Sequence, residues 1–355
     1  MKDILLKIQN GGTLSQAEAC QILLEIKDGK VDPIQLGALL AMLNQRGATV
    51  EEILGFREGL LQTCVTVDLS AYDPVDIVGT GGDGKNTFNI STCSCFVVAG
   101  AGFHVAKHGN FGATSVSGAS NVIKEHGIKF SSDRAQLTKS IEESGVTYLH
   151  AQLFHPAMKN VAPVRKALQI PTVFNLLGPL INPTRPKHQL LGVANLSQMR
   201  LYYNTLTRIG MSFAIVTSMD GYDEISLTSD FKVMTNNYET IYKVGDLGFE
   251  KSEAGSLSGG NSVDDAKEIF DSVLENRSTI FQKNAVIANS AFAIQTINGK
   301  SIDECLGMAK ESLESGKALD AFKKLQVFPE RQALHHIHQR PTTQISFALL
   351  DIQDR

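Results

Sequence analysis

The sequence predicts an α/β protein, with a small N-terminal helical domain followed by a larger α/β domain built on a mostly parallel sheet. The chain has 355 residues, which is enough for two domains. Its first 65 residues contain only helical patterns. From Val75 onward, short apolar runs alternate with amphipathic stretches, which is the pattern of parallel strands joined by helices.

Local start signals place the helices of the first domain, which we expect to span residues 1–66. A Ser or Thr followed three residues later by Glu forms a capping box, and such boxes open helices at Ser15 and Thr49. A further helix begins at Asp32 and Pro33, because Asp caps a helix and Pro suits its first position. Such short helices bury little apolar surface by themselves, so we expect this domain to pair with that of a second copy.

The larger domain is expected over residues 74–325. Residues 326–355 are predicted to be a C-terminal tail, either an appended segment or a packed extra helix, to which the sequence assigns no role. The glycine-rich stretch 255–262 is predicted to be a flexible loop, and residues 264–325 are predicted to be helical. Strands are predicted at residues 75–78, 103–106, 146–150, 190–194, 213–218, 231–234 and 240–244.

Composition limits the classes of function. Lys and Arg number 33 against 37 Asp and Glu, which argues against a generally basic nucleic-acid-binding protein. Five cysteines are too few for a disulfide framework, and their number is odd, so the composition favours a reducing compartment. We find neither a signal peptide nor an apolar run approaching the roughly 18 residues of a membrane helix, so a cytoplasmic location is expected.

The stretch DIVGTGGDGKNTFNIST, from Asp76 to Thr92, predicts an anion site. A predicted strand runs into a loop with four glycines, and the sequence Asn-Ile-Ser-Thr then starts a helix. Glycines let the backbone approach a ligand closely, and the free N–H groups at a helix start suit a phosphate. A plain strand-to-helix turn would need fewer glycines. The spacing matches neither a Walker loop nor a dinucleotide fingerprint.

The stretch KHGNFGATSVSGAS, from Lys107 to Ser120, follows the next strand directly. Ligands of open α/β sheets gather at the carboxyl ends of strands, where Lys107 would meet a phosphate as a point charge. A solvated loop is the alternative interpretation of this stretch.

Two further stretches supply charged groups. Arg165 lies on a helix predicted within HPAMKNVAPVRKAL, and its guanidinium could pair with a planar carboxylate. Asp223 and Glu224 are adjacent in GYDEIS, where a divalent cation would offset the repulsion between their charges. The alternatives are that Arg165 is a solvated helix residue and that Asp223 and Glu224 form an exposed acidic turn.

Taken together, the motifs GTGGD, NIST, KHGN, HPAMK, FNLLGPLINP and DEIS closely resemble, in this order, the anthranilate phosphoribosyltransferase family. The resemblance covers about residues 1–325. It implies transfer of the 5-phosphoribosyl group from phosphoribosyl pyrophosphate (PRPP) to the amine of anthranilate in tryptophan biosynthesis. It also implies a magnesium cofactor and a homodimer that pairs through the helical domains.

Residue by residue, the resemblance implies three sets of contacts and no catalytic nucleophile or base. Magnesium would be held by Ser91, Asp223 and Glu224. Anthranilate would be lined by Gly79, Asn110 and Arg165. PRPP would be bound by Gly79, Gly82, Asp83, Thr87, Asn89, Ile90, Ser91, Thr92, Lys107, His108, Gly109, Asn110, Phe111, Gly112, Ala113, Thr114, Ser115 and Ala119.

The chain departs from the family pattern in two places. Phe111 and Gly112 follow KHGN where the family usually has arginine and serine, which removes a cation from the loop. Ala119 stands where the family usually has serine, which removes a hydroxyl from a phosphate contact, although Ser117 and Ser120 lie close by in sequence.

Two other functions stay open at this point. A pyrimidine nucleoside phosphorylase shares the fold and a similar lysine-containing loop, but such chains carry an additional C-terminal α/β domain that residues 326–355 cannot supply. A non-enzymatic nucleic-acid-binding relative should carry a basic stripe, whereas the net charge here is -4.

Overall fold

The computed structural model describes the backbone of residues 1–112 and 116–338 and the side chains up to residue 327. Three residues of the predicted PRPP site lie outside the described residues, and so does the last part of the predicted tail. These are Ala113, Thr114 and Ser115, and residues 339–355.

The N-terminal domain is a bundle whose helices begin where the capping signals predict. The side chains of Ser15 and Thr49 each accept a hydrogen bond in a complete capping box, and Asp32 accepts from two backbone N–H groups. The helical start of the chain is thereby confirmed. The helices are α1 (Lys2–Gln9), α2 (Gln16–Lys27), α3 (Pro33–Arg46) and α4 (Val50–Thr63).

The second domain is built on a seven-stranded sheet with the order β3-β2-β1-β4-β5-β6-β7. The first five of these strands are parallel, and the last two are antiparallel, which confirms the mostly parallel sheet. The chain leaves β1 toward β2 and later returns to pair β4 on its other side, so the strand order reverses at β1. The strands are β1 (Val75–Gly79), β2 (Val105–Gly109), β3 (Val146–His150), β4 (His188–Gly192), β5 (Ser212–Ser218), β6 (Phe231–Thr235) and β7 (Glu239–Tyr242).

Helices cover both faces of the sheet. Alternating strand residues face opposite layers: Leu190 packs in the core that contains α5 and α13, whereas Leu191 packs against α11 and the helical domain. The helices of this domain are α5 (Ile90–Gly100), α6 (Ala119–Glu125), α7 (Arg134–Ser144), α8 (Ala151–Phe154), α9 (Met158–Leu168), α10 (Val173–Leu177), α11 (Leu196–Ile209), α12 (Val263–Leu274), α13 (Ile280–Asn298), α14 (Ile302–Glu314) and α15 (Lys317–His338). In the part of the chain that the structure describes, no helix is long and apolar enough to cross a bilayer.

Two local predictions differ from the structure, and a third stretch takes one of its two predicted forms. The second strand begins at Val105, because Phe103 N–H donates to the Val98 carbonyl and so belongs to the end of α5. The stretch predicted as a flexible loop forms a short 3₁₀ turn, and Ser258 then pairs with Thr87 of the glycine loop. The predicted start of the tail at residue 326 falls inside α15.

Candidate active site

Several of the predicted site residues that the structure describes lie at or next to the carboxyl ends of β1, β2 and β4, where the strand order reverses. Gly79 and Gly192 are register partners at these ends. A Cβ atom at Gly79 would lie 2.5 Å from Asp223 Oδ2, and one at Gly192 would lie 1.7 Å from the Asp223 carbonyl oxygen. The two glycines therefore let the Asp223 segment cross the strand ends in direct contact with them. Open α/β sheets bind ligands in this crevice.

The acidic pair is folded onto the two backbone segments that the sequence predicts to bind phosphate. Asp223 Oδ2 accepts a hydrogen bond from Gly81 N–H at 2.6 Å. Glu224 Oε1 accepts one from Ser91 N–H, in the first turn of α5, at 2.9 Å. The Asp223 N–H in turn donates to Asp83 Oδ2 at 3.4 Å. The structure thus brings Gly81, Asp83, Ser91, Asp223 and Glu224 into one cluster.

Asp223 and Glu224 lie side by side away from solvent, which disfavours the charged form of both. Burial and the neighbouring Asp83 raise the pKa of Asp223 to about 7. Burial, and next the charge of Asp223, also raise the pKa of Glu224 well above its usual range. Within the described residues none of the salt bridges involves these carboxylates. A bound cation would relieve both effects.

The donor set fits magnesium. Two carboxylates and the Ser91 hydroxyl are hard oxygen ligands, which Mg²⁺ prefers. Among the residues with described side chains, no three His, Cys, Asp or Glu groups are arranged to hold a metal alone. That is expected, because magnesium in such sites commonly takes one or two carboxylates and completes its shell with waters and substrate phosphates.

Lys107 is the cation beside this cluster. Its side chain is buried, and Nζ donates to the Ile77 carbonyl at 2.6 Å and to Ser91 Oγ at 3.3 Å. Strand β2 therefore directs a positive charge along the sheet edge toward the start of α5. The Lys107 ammonium therefore lies between Ile77 of β1 and the first turn of α5.

The loop after β2 is held by side chains on both sides. Asn121 Oδ1 accepts hydrogen bonds from Gly112 N–H and Gly118 N–H, both at 3.0 Å. The Asn110 carbonyl accepts from Ser120 N–H at 3.0 Å. The Phe111 ring packs edge-on against His150, with 4.9 Å between ring centroids. The aromatic residue that replaces the family arginine is thus placed in an aromatic contact.

Arg165 is anchored by a helix that the sequence analysis did not predict. Its Nη2 donates to Asn175 Oδ1, on α10, at 3.1 Å, and Asn175 Oδ1 also accepts from Thr172 N–H. Burial lowers the pKa of the guanidinium. Arg165 is therefore positioned by the protein, unlike the freely solvated arginine that was the alternative.

A buried histidine pair lies beside this region and was missed as a unit. The rings of His108 and His155 are 5.2 Å apart, and His108 Nδ1 lies 3.3 Å from the Gly178 carbonyl. Burial lowers the pKa of His108 to about 3 and that of His155 to about 4, so both are neutral near pH 7. Within the described residues, His108 Nε2 lacks a hydrogen-bond partner. His155 stands in the quoted motif HPAMK, but only the fold places it against His108.

The comparisons with known protein families cover both domains. Residues 2–64 match the model described as "Glycosyl transferase family, helical bundle domain". Residues 71–319 match the model described as "Glycosyl transferase family, a/b domain".

Two curated relatives are anthranilate phosphoribosyltransferases. The anthranilate phosphoribosyltransferase of Phocaeicola vulgatus is 59% identical over 91% of this chain and 98% of its own length. That of Bacteroides thetaiotaomicron is 54% identical over 91% of this chain and 98% of its own length.

Solved structures agree with these relatives. The anthranilate phosphoribosyltransferase of Thermus thermophilus superposes with a TM-score of 0.86 at 29% identity, covering 91% of this chain and 98% of the other. The enzyme of Saccharomyces cerevisiae in complex with PRPP and Mg gives 0.84 at 27% identity, covering 93% and 99%. The chain therefore belongs to the anthranilate phosphoribosyltransferase family.

Proposed function

We propose that the crevice at the ends of β1, β2 and β4 transfers the 5-phosphoribosyl group from PRPP to the amine of anthranilate and releases pyrophosphate. The observation that carries this proposal is the contact of the Asp223–Glu224 pair with the glycine loop and the first turn of α5. It joins hard oxygen ligands to backbone that suits phosphate. The Saccharomyces cerevisiae enzyme has been solved in complex with PRPP and Mg and in complex with 4-fluoroanthranilate, which supports the same assignment.

On the donor side, the protein's task is to bind and neutralise the pyrophosphate. Ser91, Asp223 and Glu224 would hold magnesium, which when bound offsets the charge of the departing pyrophosphate. Lys107 adds a fixed positive charge from β2. The start of α5 adds the positive end of its helix dipole, which is fixed in place before the ligand binds. We therefore retain the PRPP contacts predicted from the sequence as proposals for this chain.

On the acceptor side, the protein's task is to orient a weak nucleophile. Arg165, held by Asn175, would bind the carboxylate of anthranilate through a bidentate fork. His108 is neutral, and its Nε2 is unpaired while Nδ1 faces the Gly178 carbonyl, so Nε2 can accept a hydrogen bond without adding charge to the acceptor pocket. Holding the amine near the anomeric carbon accounts for much of the rate gain in such a transfer. Gly79 and Asn110 would complete this side.

We also propose a cytoplasmic homodimer, with domain limits of 1–66 and 74–325. Support comes from exposed apolar side chains on the helical domain, where Leu6 on α1 is 44% exposed and Ile34 on α3 is 83% exposed. Burying them against a second copy would remove apolar surface from water. The composition supports small-molecule substrates and no nucleic-acid partner.

The direct test follows the loss of anthranilate fluorescence with PRPP and magnesium, omitting each in turn. We expect turnover only with both, and its loss in Asp223→Ala/Glu224→Ala. The control Glu142→Ala/Glu143→Ala removes an adjacent pair from α7, outside the site, and should retain activity. Phosphate-dependent cleavage of uridine or thymidine, with no consumption of anthranilate, would contradict the proposal.

A further inference from the structure

The structure distinguishes the two serines that could replace the hydroxyl missing at Ala119. Ser120 is already engaged, because its Oγ lies 2.8 Å from Tyr148 Oη and 2.8 Å from His150 Nδ1. A hydroxyl with one proton and two such partners has little capacity left for a ligand. Ser120 therefore has a structural contact in the loop after β2, and only Ser117 is left to consider.

Ser117 has a buried hydroxyl without a partner. The residue is 7% exposed, and its Oγ makes no hydrogen bond to any described residue. Its backbone is nevertheless fixed, since the Ser117 carbonyl accepts from Asn89 Nδ2 at 3.1 Å. Leaving a hydroxyl both buried and unpaired costs free energy, so such a group in a folded protein calls for an explanation.

The same contact leaves two other polar atoms unpaired at the start of α5. Asn89 is the N-cap residue, but its side chain does not cap the helix because its amide is turned to Ser117. Asn89 Oδ1 and Thr92 Oγ1 are also buried without partners among the described residues. Of these atoms, only the Thr92 hydroxyl can donate to an anion, since Asn89 Oδ1 is an acceptor. The hydroxyls of Thr92 and Ser117 thus belong to segments that meet at the N-terminus of an 11-residue helix, whose dipole favours an anion.

We propose that Ser117 binds PRPP by donating a hydrogen bond from Oγ to one of its phosphates, beside Asn89 and Thr92. This rests on the proposed function, and it adds a ligand contact that the sequence resemblance did not include. It also explains how the chain tolerates alanine at position 119. The ligand could present either its 5-phosphate or its pyrophosphate here, and both have the chemistry that the unpaired hydroxyl requires.

Isothermal titration calorimetry on the full chain tests the proposal. Ser117→Ala should weaken PRPP binding at least about tenfold, because a hydrogen bond to a charged group is lost. Anthranilate affinity and the unfolding temperature without ligands should change little. The control Ser252→Ala removes another buried and unpaired Oγ, outside the predicted site, and should bind PRPP normally.

Two probes identify the phosphate. If Ser117 contacts the 5-phosphate of PRPP, Ser117→Ala should bind ribose 5-phosphate more weakly than the parent chain does. If Ser117 contacts the pyrophosphate, Ser117→Ala should instead bind magnesium pyrophosphate more weakly. Should Ser117→Ala not fold, Ser117→Cys keeps the size of the side chain with a much weaker donor and should show the same loss. If the Ser117 variants bound PRPP and both probes as tightly as the parent chain does, the Ser117 proposal would be overturned, while the proposed function would stand. Failure of the parent chain to bind PRPP would instead contradict the proposed function.

Discussion

Individual side chains in this site act through neighbours that lie far away in sequence. Arg165 is held by Asn175, and His155 lies against His108. The sequence predicted the chemistry of Arg165, because a guanidinium suits a carboxylate, but not the helix that positions it. It could not distinguish Ser117 from Ser120 either, since the difference depends on Tyr148 in another strand.

Replacing Arg165 should impair acceptor binding selectively. Arg165→Ala removes the fork for the anthranilate carboxylate and should raise the KM for anthranilate about 10- to 150-fold, with a much smaller change for PRPP. Arg165→Lys should recover only part of this, because it keeps the charge but not the fork. Asn175→Ala should have a milder effect in the same direction. Steady-state kinetics with each substrate varied would reveal an error if the defect were selective for PRPP.

The histidine pair should make stability depend on pH. Burial lowers the pKa of His155 to about 4, whereas the unfolded chain takes up this proton near pH 6.5. Between these values the unfolded state binds more protons, so the free energy of unfolding falls as the pH is lowered from 6.5 to 4. The contribution of His155 is about 3 kcal/mol at most.

Urea denaturation at several pH values checks this linkage. His155→Gln should flatten the pH dependence between 6.5 and 4 relative to the parent chain, whatever its effect on stability at neutral pH. Parallel curves for the two proteins would show that His155 is not the group responsible.

At the scale of elements, helices whose start signals lie within a few residues of one another were predicted well from the sequence. Capping boxes fix the starts of α2 and α4, because the cap and its partner are three residues apart. Elements that depend on distant contacts were predicted less well: α10 has no strong local signal, and the stretch around Ser258 gains its order by pairing with Thr87. The predicted domain limit at residue 325 coincides with the end of the resemblance. Helix α15 crosses this limit, because it continues to His338.

Helix α15 divides into a packed and a dispensable part. Ala318, Ala321, Phe322 and Leu325 are buried in the core next to α5, whereas Val327 is 38% exposed. Truncation after Gln326 should therefore leave kcat within about twofold and the melting temperature nearly unchanged. Truncation after Gly316 removes the buried side chains and should destabilise the fold by several kcal/mol, since each buried apolar side chain contributes about 1.5–3 kcal/mol. A folded chain ending at Gln326 that has lost its kcat would show that the tail reaches the site.

At the scale of the whole molecule, the helical domain supports the segment that carries the proposed acceptor site. Arg57 Nε on α4 donates to the Leu180 carbonyl at 3.0 Å, and Arg185 Nη2 donates back to the Leu61 carbonyl at 3.2 Å. The rings of Phe56 and Phe174 meet at the same junction. One continuous core includes residues of both domains. The bundle therefore supports the segment between α9 and β4.

The proposed dimer should be visible in solution. Light scattering at micromolar concentration should give about twice the chain mass of 38.5 kDa. Ile34→Glu places a charge on the most exposed apolar side chain of α3 and should shift the equilibrium toward the monomer, whereas Ile241→Glu, on the exposed edge strand β7, should not. A monomeric mass at these concentrations would contradict the proposed dimer.

The central claim is that Asp223 and Glu224 hold magnesium against the pyrophosphate of PRPP. The most direct measurement is a crystal structure of the chain with PRPP and magnesium. We expect the ion between these carboxylates and the phosphate oxygens, with a phosphate at the start of α5. PRPP bound away from α5, or a metal that neither carboxylate contacts, would contradict the account.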